Sequence, residues 1–431
     1  MYVNLQGKRI AFYTLGCKVN QYETDSMMYL LKKEGCHMVP FKETADIYII
    51  NTCSVTNMAD RKSRQIIHRA KKQSKEGIVV AVGCYVQAVG EELLTDKDID
   101  IIVGNNRKKE IARILSEYLY EKSATDNLID INRDSQYEEM TLIKPSEHTR
   151  AYVKVQDGCN NFCSYCIIPY TRGRIRSREL RDVVREISGL AKEGIKEVVI
   201  TGINLSSYMD KEENDLLKLL VAVSDIKGID RIRMGSLEPR IITEEFLQTI
   251  SAIKKICPHF HLSLQSACNE TLKRMNRKYT IEEYMEKCNM LRRYYDRPAI
   301  TTDIIVGFPG ETLEEFATTK KNLEELNLYE MHIFKYSRRS GTVAATMPNQ
   351  VPDQEKEDRS KILLALAADN KKRYEDSFAN ETVDILVEEY IEEEGVYYCL
   401  GHSDRYIMLK KAMTLPECEL AVNKIITIKP S

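Results

Sequence analysis

No stretch of the 431-residue sequence approaches the roughly 18 consecutive apolar residues of a membrane-spanning helix, which argues against a helical membrane protein. The opening run "MYVNLQGKRIAFYTLGC" lacks the charged segment and apolar core of a secretory signal, so the expected location is cytoplasmic, with no membrane partner. An excess of one charge is missing as well. At net −2 with 30% charged residues, bulk electrostatics attracts no polyanion, and nucleic acid would have to be held by local basic patches. Histidine is sparse, seven residues with no HxxxH pair, which removes the helical metalloprotease pattern. Cysteine, by contrast, is plentiful. In a reducing compartment twelve thiols are poor disulfide formers and better metal or redox ligands, although isolated ones usually pack as small hydrophobes.

The length suggests about three domains, and the pattern is that of an α/β multidomain chain. Residues 1–120 alternate β-branched runs with amphipathic stretches ("RIAFYTLGC" before "NQYETDSMMYLLKKEG", "DIYIINTC" before "MADRKSRQIIHRAKKQS"), predicting a parallel sheet covered by helices. Its first three strands end on Cys17, Cys53 and Cys84. Ligands collect beyond the carboxyl ends of strands in such sheets, so these thiols are candidates for one shared site, while Cys36 reads as packing. Residues 121–149 are polar and read as a linker. Residues 150–373 hold six more strand–helix units and predict a full or partial (β/α) barrel, with its working residues on the loops after the strands. Residues 374–431 turn to short antiparallel strands and predict a small β-barrel.

The first barrel strand leads into "DGCNNFCSYCIIPYTRGRIRSR", where Cys159, Cys163 and Cys166 form a Cys-x3-Cys-x2-Cys triplet. A closed structural zinc site wants four ligands, yet no fourth cysteine or histidine stands nearby; the next cysteine is Cys257. Three thiolates suit an iron–sulfur cubane with one iron left open. After the triplet, Arg172, Arg174, Arg176 and Arg178 fall at period two, so an extended segment would turn all four to one face, a ridge suited to phosphates. Residues 61–75, "RKSRQIIHRAKKQSK", carry seven Lys or Arg and no acid. Together the two patches predict RNA binding. A zinc-containing RNA-binding protein without catalysis is the rival reading, separable by metal content.

The triplet, with Tyr165 before its last cysteine at the head of a βα series, resembles the radical S-adenosylmethionine superfamily. That resemblance implies that S-adenosylmethionine chelates the open iron and is cleaved to a 5′-deoxyadenosyl radical. Across nearly the whole chain, the three-cysteine N-terminal domain, the barrel and the C-terminal β domain resemble the methylthiotransferases. The likeness implies two 4Fe-4S clusters, the second on Cys17, Cys53 and Cys84, and a TRAM-like RNA-binding role for the last domain. The strings "TLGCKVNQYE", "INTCSVTNMADRKSRQ", "LKRMNRKYT" and "DIIVGFPGET" are similar to the branch that methylthiolates C2 of N6-threonylcarbamoyladenosine at position 37 of tRNA. Other branches act on isopentenyladenosine in tRNA or on a ribosomal-protein aspartate. "HLSLQSACN" departs from the family's more usual Pro-Ile-Gln-Ser-Gly at Ala267 but keeps Gln265 and Ser266. The family further implies a tRNA anticodon stem-loop as partner and an electron donor such as a flavodoxin or ferredoxin, and leaves the sulfur donor open.

On loops after the barrel strands, Thr201, Gly202, Ser236, Glu238, Gln265, Ser266 and Gly307 are candidate contacts to S-adenosylmethionine, with Tyr165 beside the adenine by family analogy. Gly307 and Gly310 in "GFPGET" also have a plain reading as turn glycines. The threonylcarbamoyl carboxylate calls for a pocket arginine or lysine that the sequence does not single out. His259 and His261 alternate on one strand and read as structural or peripheral to the pocket; Cys257, Cys268, Cys288, Cys399 and Cys418 read as packing residues.

Overall fold

The computed structural model describes residues 4–121, 125–142 and 149–429. It divides into two compact units: Met1–Ile143 with Lys154–Arg178 and Ser337–Ala345, and Lys144–Val153 with Glu179–Tyr336 and Thr346–Ser431.

In the first unit, strands β1 (Arg9–Thr14), β2 (His37–Val39), β3 (Ile47–Thr52), β4 (Ile78–Gly83), β5 (Ile101–Val103) and β6 (Thr125–Asn127) form one parallel sheet in the order β2-β1-β3-β4-β5-β6. Every residue of β3, "IYIINT", is buried, as a central strand covered on both faces requires. Helices α1 (Lys18–Lys33), α2 (Asn57–Gln73), α3 (Cys84–Val89) and α4 (Ile111–Glu121) lie between the strands in sequence. Helix α2 buries Ser63, Ile66, Ile67 and Ala70 at helical spacing, and its first turn is capped by the Thr56 hydroxyl, which accepts from the Ala59 N–H. The sheet grows one way from β1 to β2 and the other way from β3 onward. That reversal puts a ligand crevice at the carboxyl ends of β1 and β3.

Within the segment read as a linker, the described residues 125–142 belong to the first unit. Strand β6 extends the sheet, and Ile131, Met140 and Leu142 are buried. A three-residue Thr-Asp-Asn strand pairs through its backbone and leaves no hydrophobic pattern to read. After β7 (Arg150–Lys154), the first unit resumes with β8 (Gln156–Asp157), helix α5 (Ile168–Thr171) and β9 (Arg176–Ser177), β8 and β9 pairing antiparallel.

The second unit holds β7 and, in chain order, α6 (Leu180–Lys192), β10 (Glu197–Thr201), α7 (Leu216–Ser224), β11 (Arg231–Met234), α8 (Glu244–Ala252), β12 (His259–His261), α9 (Asn269–Arg274), α10 (Ile281–Tyr294), β13 (Ala299–Val306), α11 (Leu313–Leu326), β14 (Glu330–Lys335) and α12 (Asp353–Asp376). Sheets β11-β10-β7 and β12-β13-β14 are joined by parallel bridges Ile232–Ile256 and Leu237–Leu262, giving six strands in sequence order, a partial (β/α) barrel. Helices α10 and α11 both open with capping boxes, Thr280 with Glu283 and Thr312 with Glu315. The chain then forms a four-stranded antiparallel sheet from β15 (Val383–Glu393), β16 (Val396–Ser403), β17 (Met408–Met413) and β18 (Ile425–Ile428), with helix α13 (Leu415–Ala421). Cys399 and Cys418 pack in its core beside Ile385, Val387 and Ile428, as small hydrophobes. Among the described residues, no helix is long and apolar enough to cross a membrane.

Candidate functional site

Cys17, Cys53 and Cys84 stand at the carboxyl ends of β1, β3 and β4, the first two flanking the reversal in strand order. Cys17 is the N-cap residue of α1, Cys53 lies in the loop into α2, and Cys84 begins α3. Close contacts draw the loops together. Gly16 has φ +102°, and a Cβ there would lie 2.9 Å from the Cys53 Cβ and 3.0 Å from its Sγ. Asn20 donates to Leu15 O at 2.7 Å and to Thr52 O at 3.0 Å, tying the end of β1 to that of β3. Burial pushes the Cys17 thiol up, against the pull of Arg172, and pushes Cys53 up to about 12. Thiols in such a place are held as thiolates by a bound cation or cluster.

Next to Cys84 the same unit holds a buried charge cluster. Arg172 donates from Nε to Cys84 Sγ at 3.2 Å, from Nη1 to Glu23 Oε1 at 2.9 Å and Asp157 Oδ1 at 3.1 Å, and from Nη2 to Asn20 Oδ1 at 2.7 Å. Lys108 and Lys154 meet Glu23 at 2.6 and 2.8 Å, and Lys154 meets Asp157 at 2.6 Å. Asn105 donates to Cys84 Sγ at 3.6 Å and to Thr171 O at 2.7 Å. Burial alone would raise the Glu23 and Asp157 carboxyls; Arg172, Lys108 and Lys154 around Glu23, and Lys154, Arg172 and Arg176 around Asp157, hold both well below the usual carboxylate range.

The predicted arginine ridge is not present. Arg172, Arg176 and Arg178 are 0%, 3% and 1% exposed, and only Arg174 of the four is exposed. Helix α5 ends at Thr171, Gly173 turns the chain at φ +72°, and β9 is two residues long, so a period-two face never forms. Arg176 donates to Arg172 O at 2.6 Å and Arg178 Nε to Glu139 Oε1 at 2.7 Å. The Arg174 guanidinium lies over the Phe162 ring, 4.5 Å from its centroid.

Cys159, Cys163 and Cys166 occupy the loop between β8 and α5, each partly exposed. The Asn161 N–H donates to Cys159 Sγ at 3.4 Å, the Cys166 N–H to Cys163 O at 2.9 Å, and Phe162 between them takes φ +48°. Tyr165 is half-buried in this loop. Sulfurs bound about 2.3 Å from one tetrahedral ion lie about 3.8 Å apart. Among the described residues, the three-ligand groups with all ligand atoms within 4.8 Å of one another are His261–Asp303–His332 and His68–Asp96–Asp98, neither with a cysteine. Neither thiol triad is among these groups. Segment 337–345 packs beside Cys53 through Arg339, which donates to Ser54 Oγ at 2.7 Å and Asn57 Oδ1 at 2.9 Å and pairs with Asp60.

In the second unit the remaining candidates collect at the carboxyl ends of the barrel strands. Thr201 ends β10 and is buried, with Gly202 following; Ser236 is exposed after β11; and Glu238 is gripped by Arg277 at 2.9 Å to each carboxylate oxygen. Gln265 takes φ +73° and exchanges backbone hydrogen bonds with Asp303 and Ile305. Two candidates are engaged by the fold. The buried Ser266 hydroxyl accepts from the Cys268 N–H at 3.4 Å. Gly307 has φ +70°, its N–H faces the Glu311 carboxylate at 3.2 Å, and a Cβ there would collide with Lys356, so the turn itself demands glycine. His259 is structural, stacked on Tyr406 with centroids 5.3 Å apart. His261 bonds Thr301 Oγ1 through Nδ1 at 3.0 Å and faces Asp303 at 3.5 Å. The sequence reading gives no role to Arg277, which lies in "LKRMNRKYT", or to His332, and reads His261 only as structural or peripheral.

A family model described as the Radical SAM superfamily matches residues 153–323, and one described as Uncharacterized protein family UPF0004 matches residues 9–104. In fold the chain is similar to the radical S-adenosylmethionine methyltransferase TsrM from Kitasatospora setae, with TM-score 0.58 and 16% identity, over 79% of this chain and 74% of that one. The class is thus that of radical S-adenosylmethionine folds. Relatives narrow it. The chain is 39% identical to the threonylcarbamoyladenosine tRNA methylthiotransferase MtaB of Bacillus subtilis (strain 168), over 97% of this chain and 93% of that protein. It is 41% identical to the enzyme of the same name from Aquifex aeolicus (strain VF5), over 88% and 93%. It is 37% identical to a tRNA-2-methylthio-N(6)-dimethylallyladenosine synthase from Thermoanaerobacter pseudethanolicus (strain ATCC 33223 / 39E), over 89% and 83%. The chain belongs to the tRNA methylthiotransferases of the radical S-adenosylmethionine superfamily.

Proposed function

We propose that this chain adds a methylthio group to C2 of N6-threonylcarbamoyladenosine in tRNA, the single supporting observation being its near full-length likeness to two enzymes named for that nucleoside. The target carbon has neither a leaving group nor useful acidity, which is why radical chemistry is needed. Cys159, Cys163 and Cys166 would hold the cluster that binds S-adenosylmethionine, and Cys17, Cys53 and Cys84 the second one. The donor sets fit, since three thiols without a fourth leave one iron of each cubane open. When bound, the clusters supply an electron to S-adenosylmethionine and a seat for the transferred sulfur.

The chain's own part is to bind, orient and exclude water. Tyr165, Thr201, Gly202, Ser236, Glu238 and Gln265 are the proposed cofactor contacts, with Ser266 and Gly307 shaping the loops that carry them. For RNA, the arginine ridge is replaced by the outer face of α2, where Arg61, Lys62, Arg64, Arg69 and Lys72 are exposed, together with Arg174 on Phe162. The TRAM-like RNA-binding role is proposed for the C-terminal antiparallel sheet, a flavodoxin or ferredoxin as the electron donor, and the cytoplasm as the place of action. A dimethylallyladenosine acceptor is the second reading, favoured by the third relative. Mass spectrometry of tRNA nucleosides from cells with and without the gene separates the two. Loss of methylthio-threonylcarbamoyladenosine alone supports the proposal; loss of the dimethylallyl derivative instead overturns it.

A further inference from the structure

We infer that Arg172 is a positioning residue for the cluster on Cys17, Cys53 and Cys84, its N–H···S bond to Cys84 and its charge raising that cluster's reduction potential. The inference rests on the ligand set proposed above. Three observations carry it. The three thiols are not equivalent: Cys84 receives two side-chain N–H donors, Arg172 at 3.2 Å and Asn105 at 3.6 Å, whereas the side-chain contact of Cys17 is with an acceptor, Asn20 Oδ1 at 3.9 Å. The guanidinium is also fixed. Glu23, Asp157 and Asn20 engage both of its terminal nitrogens, so Nε has one direction left, toward sulfur.

The third observation is charge. Lys108, Lys154, Arg172 and Arg176 gather on Glu23 and Asp157, with Glu138 close by, so the four cations outnumber the three acids and positive charge is in excess. A cubane on three thiolates carries net negative charge, and adding an electron to it in a buried place is costly. A buried cation bonded to one of its sulfurs offsets that cost, which moves the potential upward. Arg172 also lies six residues beyond Cys166, at the end of the short helix α5, so the segment that follows one triad supplies the counter-charge of the other.

The test uses the full chain with Cys159, Cys163 and Cys166 replaced by Ala, so that one cluster remains, and follows its reduction by EPR in a redox titration. Arg172→Gln should lower the ratio of reduced to oxidised cluster at least about tenfold at a fixed ambient potential, a shift of about 59 mV for a one-electron couple, and Arg172→Lys, which keeps the charge but not the fork, should lower it by less. Asn105→Ala, which removes the longer N–H···S contact, should shift it the same way by less and serves as the readout if the Arg172 variants fail to fold. An unchanged potential at equal iron content in folded variants overturns the inference. Absence of any cluster in the parent triple variant overturns the ligand assignment itself, and the inference with it.

Discussion

The two thiol triads reach the same donor set by opposite routes. Cys159, Cys163 and Cys166 are brought together by eight consecutive residues of one loop, stiffened by Phe162 in a left-handed conformation. Cys17, Cys53 and Cys84 lie 36 and 31 residues apart and meet because β1, β3 and β4 are neighbours in a parallel sheet. A local triad needs its loop; a distributed one needs the whole unit folded. Whatever loosens the sheet should therefore cost the distributed cluster first.

The largest effect should come from the thiols themselves. Cys53→Ala and Cys163→Ala should both abolish methylthiolation, yet Cys163→Ala should also abolish 5′-deoxyadenosine formation while Cys53→Ala leaves it intact, as product analysis by mass spectrometry will report. Loss of 5′-deoxyadenosine in both variants would erase the distinction between the triads. Lys108→Met comes next. It strips a partner from buried Glu23 and should cost about 3–5 kcal/mol in urea unfolding, with iron content falling toward half.

Glu197 provides a control remote in sequence from both thiol sets. Burial opposes its ionisation, but Arg233, at 2.8 Å, wins and keeps the carboxyl below its usual value. Its contribution is therefore present above about pH 4.3 and lost as pH falls through the depressed value. Glu197→Gln should be about 3 kcal/mol less stable at pH 7, with a gap that narrows in acid. A gap that widens in acid would contradict this. The smallest effects belong to a pair of glycines. Gly16→Ala, strained at φ +102° and crowding Cys53, should cost about 1–3 kcal/mol and deplete the distributed cluster. Gly158→Ala, at φ +71° and colliding with Arg174 O, should deplete the local one; metal analysis in each single-cluster background shows which triad has lost iron.

Much of this was legible in the sequence where the determinant was local. β-branched runs ending in Gly-Cys or Thr-Cys marked the strands β1, β3 and β4 with a cysteine at each carboxyl end, and the triplet was readable because its three cysteines fall in one loop. The partners of Arg172 were not readable, because Glu23 and Asn20 precede it by 149 and 152 residues and only the fold brings them together. The arginines misled for a related reason: a period of two implies one face only if the segment is extended, and Gly173 turns it. Strand β6 is too short, and too polar in "TDN", to show a hydrophobic pattern in the sequence.

The most direct measurement is iron content and Mössbauer spectra of two anaerobically reconstituted full-length variants, one with Cys17, Cys53 and Cys84 changed to Ala and one with Cys159, Cys163 and Cys166 changed to Ala. Each should retain half the iron of the unmodified chain, as a single 4Fe-4S species. Full iron in either variant, or zinc in place of iron in the unmodified chain, would contradict the assignment of one open cubane to each triad.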